Sequence, residues 1–145
     1  LPYIVSDVLN SEQEEQLIKL INYSLSITYG LHPMASVKLQ INGEIYEQSA
    51  SGHGQYNAIS KAMWKIYKTL EKPTPELLDY VVVIPPGGQT DAIVQTIITW
   101  KFDGKTFKTR GLDGDQTVAA IKATMKMLNI IETGNIPVIN YSQLP

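Results

Sequence analysis

Apolar and polar positions along this chain follow two periods, and the order in which the periods alternate occurs twice. Val37, Leu39 and Ile41 alternate with Lys38 and Gln40, the period of a strand with one covered face. Asn42-Gly43 follows, suited to a two-residue hairpin turn because both central residues of that turn have positive φ, and Glu44 to Ala50 makes the returning strand. After Ser51-Gly52-His53-Gly54 the period lengthens. Ala58, Ile59, Ala62, Met63, Ile66 and Tyr67 fall at i, i+3, i+4, i+7 spacing and predict an amphipathic helix. Upstream, Leu25, Ile27 and Tyr29 alternate as a further strand before Gly30 to Pro33 interrupts, so the unit reads βββα.

Glu71-Lys72-Pro73-Thr74-Pro75 is a stiff linker that ends the helix. Beyond it Leu77 to Ile84 restarts the strand pattern, Pro85-Pro86-Gly87-Gly88 breaks it, Ala92 to Phe102 resumes it, and Asp103-Gly104 turns it into Lys105 to Arg110. Gly111 to Asp115 then leads to a helix with Val118, Ile121, Met125 and Leu128 on one face. The copies align residue by residue: Gly43 with Gly104, Tyr46 with Phe107, Gln55 with Gln116, Ala58 with Ala119, Lys61 with Lys122, Ala62 with Ala123 and Lys65 with Lys126. A repeat implies supersecondary units that bury their apolar faces by packing together, here about a pseudo-twofold axis. Ala92 to Gly104 is longer than Ala35 to Gly43, which predicts a longer second hairpin.

At the start, Ser11-Glu12-Gln13-Glu14 has the form of a capping box, and Leu17, Ile18, Leu20 and Ile21 fall at helical spacing, predicting a short lead-in helix. The organisation read here is an α+β fold: a lead-in segment with helix over 1–22, then one domain over 23–145, with unit one at about 23–72, unit two at about 76–131 and a tail over 132–145.

Composition narrows the partners. With 145 residues, 43% hydrophobic, the chain is long enough for a real core. A net charge of −2 and no Lys/Arg cluster argue against nucleic acid or an anionic membrane. There is no cysteine for a disulfide or a thiolate zinc site, and nothing reads as a signal peptide or a membrane span, which fits the cytoplasm. A start at Leu1 rather than methionine suggests a piece of something longer.

The chemistry on offer is that of binding. His32 and His53 are the two histidines, without an HxH pair or a nucleophile elbow, and His53 reads as a loop residue between glycines. No pair of groups has the spacing for acid–base or nucleophilic work, so a stand-alone enzyme ranks last. Gly52-His53-Gly54 opens a helix whose first N–H groups form a ready carboxylate site. A second glycine-rich, acidic loop opens the other helix, so two such loops converging would suit a small zwitterion. Asp113 and Asp115 stand where helix capping alone favours acids, and capping weighs more heavily than ligand contact. Tyr80, Ile84 and Val94 read first as core-facing strand residues, and Lys61, Lys65, Lys122 and Lys126 as solvated outer-face lysines.

Gly52-His53-Gly54-Gln55-Tyr56-Asn57-Ala58 resembles the G-x-G-P-x-D-A loop in the C-terminal regulatory domain of 2-isopropylmalate synthases. Leu77-Leu78-Asp79-Tyr80, Gly88-Gln89-Thr90-Asp91-Ala92 and Gly111-Leu112-Asp113 resemble the rest of that domain in order and spacing, over roughly Tyr23 to Ile131. The resemblance implies a feedback and dimerisation domain, not the catalytic barrel. It further implies a homodimer binding leucine between the two units to inhibit the catalytic domain of the same chain, an acetyl-CoA-dependent acyltransferase with a divalent metal. No cofactor is expected in this fragment. In the related citramalate synthases the effector is isoleucine, and a constitutive dimerisation scaffold is the remaining alternative. By position, Gly52, Gly54, Tyr56 and Asn57 would line the site, with Leu77, Tyr80 and Ile84 on the next strand, Thr90 and Val94 beyond it, and Asp113 and Asp115 from the second unit. Gln55 stands where the family has proline and Asn57 where it has aspartate. An amide brings no charge to an ammonium, and charge-assisted hydrogen bonds are roughly twice as strong as neutral ones.

Overall fold

Residues 16–84 and 93–137 are described by the computed structural model, and they fall into two compact units, one spanning Gln16–Thr74 and the other beginning at Pro75. The first contains β1 (Ile18–Ser26), β2 (Met34–Ile41), β3 (Glu44–Ser51) and α1 (Gln55–Thr69). The second contains β4 (Glu76–Val83), β5 (Val94–Phe102), β6 (Lys105–Asp113) and α2 (Gln116–Thr133). Each sheet is an antiparallel meander, β1-β2-β3 or β4-β5-β6. The architecture is therefore α+β, βββα twice, as the hydrophobic periods predict.

The repeat is visible in backbone angles and in burial. Asn42 and Asp103 have φ of 50° and 52°, followed by Gly43 and Gly104 at 89° and 74°, so both hairpins close through the same left-handed pair. Ala58, Ile59, Ser60, Ala62, Met63, Ile66 and Tyr67 are buried on α1, and their repeat counterparts Ala119, Ala120, Ile121, Ala123, Thr124, Met127 and Leu128 are buried on α2. On α2 the covered stripe thus centres on Ala119, Ala123 and Met127, while Val118 and Met125 of the predicted face are only half-buried. Small residues at these positions let the helix approach the sheet. A Cβ on Gly111 would lie 1.9 Å from the Ala119 carbonyl oxygen, so β6 and α2 meet backbone to backbone.

The cores differ in their fillings. Val37, Leu39 and Ile41 line the helix-facing side of β2; Thr96, Ile98 and Trp100 line that of β5, all fully or almost fully buried. Trp100 brings an indole N–H that must find a partner once buried. Its Nε1 donates to Thr109 Oγ1 at 2.9 Å, and Thr109 Oγ1 donates to the Ala123 carbonyl at 2.7 Å, which ties strand to strand to helix.

Three sequence expectations are corrected. Residues 18–21, read as helix, belong to β1; Ser11 to Glu14 lie outside the described residues. The cause is a β-bulge between Leu20 and Asn22: it inserts Ile21, so that Leu17, Ile18, Leu20 and Ile21 mimic a helical spacing within a strand. β4 carries the equivalent bulge between Leu77 and Asp79. The second hairpin is one pair longer, Val94 with Asp113 at its open end, and the larger insertion lies instead in the connection over 84–93, against 27–33 in the first unit. The lysines are also not merely solvated. Lys65 Nζ donates to the Ser49 carbonyl at 2.8 Å and Lys126 Nζ to the Arg110 carbonyl at 2.7 Å, so repeat partners clip each helix to repeat partners on the edge strand of its sheet.

Candidate functional site

At the end of β3 the chain turns through Gly52, His53 and Gly54 into α1. The turn is tight because Gly52 is buried against the helix start: a Cβ there would lie 2.5 Å from the Ala58 backbone nitrogen and 2.5 Å from Asn57 Oδ1. Gly52 N donates to the Pro33 carbonyl at 3.0 Å, which ties this turn to the connection after β1. Asn57 folds back so that its Oδ1 accepts from the His53 backbone N–H at 3.1 Å. Gly54 is the N-cap and brings no capping side chain, and the first turn of α1 carries no acidic residue. A helix start concentrates N–H groups without intrahelical partners and the positive end of the macrodipole. Neither the N-cap nor the first turn of α1 supplies an anion to that end.

The start of α2 is chemically opposite. Asp115 is its N-cap, and Oδ1 accepts from the backbone N–H of Thr117 at 2.8 Å and of Val118 at 3.1 Å. Asp113 Oδ2 accepts from the Asp115 N–H at 2.9 Å, and its Oδ1 pairs with Lys122 Nζ at 3.1 Å. The hydrogen bond from the Asp115 backbone, then Lys122, hold the Asp113 carboxyl below its usual range. Lys122 Nζ also donates to the Leu112 carbonyl at 3.1 Å. Both carboxylates thus have partners inside their own unit.

Beside this helix start lies a partly buried polar group. The Tyr80 hydroxyl is pushed above its usual pKa of 10.0 by burial, opposed by hydrogen bonding from the Gln116 side chain and, more weakly, by Thr96. A raised acid is stabilising while protonated, so this contribution is present at neutral pH and is lost as pH rises through the folded value. Thr96 itself is fully buried, and its Oγ1 has no hydrogen-bond partner of good geometry despite its nearness to Tyr80. Ala35 occupies the repeat position in the first unit.

The residues singled out in the sequence are distributed as follows. Gly52, Gly54, Tyr56 and Asn57 share the turn into α1, with Tyr56 half-buried. Tyr80 faces the α2 start, and Val94 pairs with Asp113 at the open end of the second hairpin, next to Asp115. Ile84 is exposed at the end of β4, while Leu77 sits at its other end beside the bulge, opposite Trp100. At about 3.3 Å per residue they are roughly 20 Å apart along the strand, too far to touch one amino-acid side chain. Thr90 lies outside the described residues. Gln116, the hydrogen-bond partner of Tyr80, and its neighbour Thr96 were not singled out; the only signal for Gln116 was its repeat partner Gln55. Among the described residues no helix is long and apolar enough to cross a membrane, and no three His, Cys, Asp or Glu side chains gather as a metal-binding group.

Comparison with known proteins agrees with this architecture. The chain is 30% identical over 118 residues to 2-isopropylmalate synthase of Aquifex aeolicus, covering 81% of this chain and 22% of the relative. It is 31% identical over 128 residues to a putative (R)-citramalate synthase of Archaeoglobus fulgidus, covering 88% and 25%, and 30% identical over 129 residues to 2-isopropylmalate synthase of Methanocaldococcus jannaschii, covering 88% and 24%. The chain spans about a quarter of the length of these relatives. The family model of the LeuA allosteric (dimerisation) domain matches residues 1–132. With two βββα units behind that match, the chain belongs to the family of LeuA allosteric (dimerisation) domains.

Proposed function

We propose that the domain is the feedback-regulatory and dimerisation module of a 2-isopropylmalate synthase-like enzyme, and that it binds a branched-chain amino acid, leucine first, to inhibit the catalytic domain of the same chain. The observation that carries this reading is the start of α1, a helix end without a capping side chain or an acidic first turn, entered through a glycine turn with no room for a Cβ at Gly52. A free carboxylate suits such an end, and nothing in the helix's own first turn competes with it electrostatically. Burying a leucine side chain would contribute on the order of 2–3 kcal/mol. A coupling of about 1–3 kcal/mol between effector and catalytic states is enough for feedback control. The divalent metal and acetyl-CoA of such an enzyme belong to its catalytic domain, and a cytoplasmic setting goes with the same reading.

Homodimerisation draws support from the second sheet. Its face away from α2 presents Val81, Val83, Ile97 and Leu112, with Val83, Gln95 and Leu112 in one cross-strand row. The corresponding face of the first sheet presents Ser24, Ser36 and Ser49 in one row, with a 2.7 Å hydrogen bond between the Ser36 and Ser49 hydroxyls. Met34 and Ile45 stand exposed on that first face beside the serines, whereas the valines, Ile97 and Leu112 of the second form the more apolar surface, which is suited to a partner.

Isoleucine is the second reading, favoured by the similarity to a putative citramalate synthase. Calorimetric titration of the domain with leucine, isoleucine, valine and alanine tests both. Saturable binding of leucine or isoleucine supports an effector site and names the effector, whereas no binding by any of the four leaves a constitutive dimerisation scaffold. Inhibition is tested on the full-length enzyme: if the amino acid bound by the domain leaves turnover unchanged, the feedback role is wrong.

A further inference from the structure

The chain has two histidines, and the fold brings their rings together: His32 on the connection after β1 and His53 on the turn after β3 have ring centroids 5.1 Å apart with planes at 90°. From this geometry we infer that the pair is a binding site for one late first-row divalent ion of the Zn²⁺, Ni²⁺ or Cu²⁺ class. Neutral imidazole is the preferred side-chain ligand for these ions. Two imidazoles on one tetrahedral ion, each nitrogen about 2.0–2.1 Å from the metal, have ring centres roughly 5 Å apart. The observed centroid separation matches that distance, and rotation of the two exposed rings about their side-chain bonds is what aims a nitrogen of each at the ion.

The site is built rather than incidental on three counts. The backbones beside the two histidines are bonded to each other, Gly52 N–H to the Pro33 carbonyl at 3.0 Å. The His53 N–H is itself held by Asn57 Oδ1 at 3.1 Å, and Gly52 has no room to shift against Ala58, so the His53 backbone is fixed relative to α1. Both rings are exposed, which leaves them open to an incoming ion. Among the described residues no His, Cys, Asp or Glu completes a group of three. With the described residues alone, the remaining coordination positions go to water or to a small exogenous ligand, and the hard ions Mg²⁺ and Ca²⁺, which favour several oxygen donors, find no carboxylate group among those residues. An ion held between the rings links the connection after β1 to the turn that opens α1. It stabilises the first unit by mass action, since the unfolded chain does not hold the two rings together.

The test uses the whole domain with NiCl₂ and ZnCl₂, and MgCl₂ as control, followed by calorimetry and by melting temperature. The expected result is one ion bound per chain and a rise in melting temperature with Ni²⁺ and Zn²⁺, none with Mg²⁺. Removing one of the two ligands abolishes chelation, so His32→Gln and His53→Gln should each weaken binding roughly a hundredfold. Trace Cu²⁺ added to the unmodified protein should broaden the ring signals of both histidines together in NMR spectra, a readout independent of either substitution. Absence of saturable Ni²⁺ or Zn²⁺ binding, binding unchanged by either substitution, or broadening of one histidine alone would each overturn the site.

Discussion

The two helices begin differently although what lies behind them matches. α1 and α2 follow hairpins with the same left-handed turn, bury the same repeat positions and are clipped to their sheets by repeat lysines. Yet α2 starts on Asp115, whose carboxylate takes two backbone N–H groups, while α1 starts on Gly54, with Asn57 folded back onto His53. Duplication kept the frame, and divergence within a few residues decided whether the positive end of a helix carries a carboxylate cap of its own or starts without one. The partition also changes what the acids do: Asp113 and Asp115 stabilise their own unit, so an effector ammonium would compete with Lys122 and with the α2 backbone for them.

The comparison can be broken most severely at the close contact between β6 and α2. Gly111→Ala should cost about 3 kcal/mol or more, because its Cβ meets backbone that cannot rotate away; Gly54→Ala and Gly114→Ala, with nothing within 4 Å, are the controls in urea denaturation. Next come the caps. Asp115→Ala should cost about 1–2 kcal/mol. The reverse exchange, Gly54→Asp, should give α1 the start that α2 has, holding or raising stability while abolishing amino-acid binding in the titration, because the new carboxylate occupies the anion's place. A Gly54→Asp variant that still binds leucine at full affinity would place the carboxylate elsewhere. Smaller again is an effect at the helix ends. α2 ends on Gly134 with φ 76°, whereas α1 ends with Glu71 in the same left-handed region at φ 56°, each followed by a bond back to the last turn: Lys72 N–H to the Tyr67 carbonyl, Asn135 N–H to the Ile130 carbonyl. Glu71→Gly should therefore stabilise the first unit, by about 0.5–1 kcal/mol in thermal melts. The smallest effect belongs to Asp113. Its folded pKa is depressed, so its contribution is present above the unfolded value and is lost as pH falls below the ordinary 3.8 through the folded value. The pair with Lys122 is solvent-exposed and screened, so Asp113→Asn should change stability at neutral pH by a fraction of a kcal/mol, less still at high salt, and should flatten the acid limb of the melting curve.

What could be read from the sequence was whatever depends on a period or on a single residue's backbone preference. The helix face from Ala58 to Tyr67, the Asn42-Gly43 and Asp103-Gly104 turns and the α+β class follow from such local rules. The bulge at Ile21 was illegible because one inserted residue converts an alternating pattern into one that mimics a helix, and the bulge at Leu78 shows only in strand register. The insertion over 84–93 was assigned to the hairpin because the alignment was anchored at Gly104, and only strand register shows on which side of β5 the extra residues lie. At the candidate site, the glycine turn was readable as a helix entry. The bond from Asn57 to His53, the contact between His32 and His53 and the reach of Tyr80 to Gln116 depend on side-chain directions and on connections that meet in space. The lysine clips were hidden for the same reason: an outer-face lysine is identical in sequence whether it points to water or to the carbonyl of a neighbouring strand.

The twin hairpin turns carry one more consequence, for the chemical ageing of the protein. An asparagine followed by glycine is the pairing most prone to lose its side-chain amide, and Asn42-Gly43 is such a pair on an exposed turn. Of the two acids that loss of the amide yields, aspartate and the backbone-lengthened isoaspartate, the second hairpin already holds aspartate at the matching position, Asp103, with φ within a few degrees of that of Asn42. The turn therefore requires the left-handed backbone and not the amide. Conversion of Asn42 to aspartate leaves the first hairpin with the chemistry on which its twin is built.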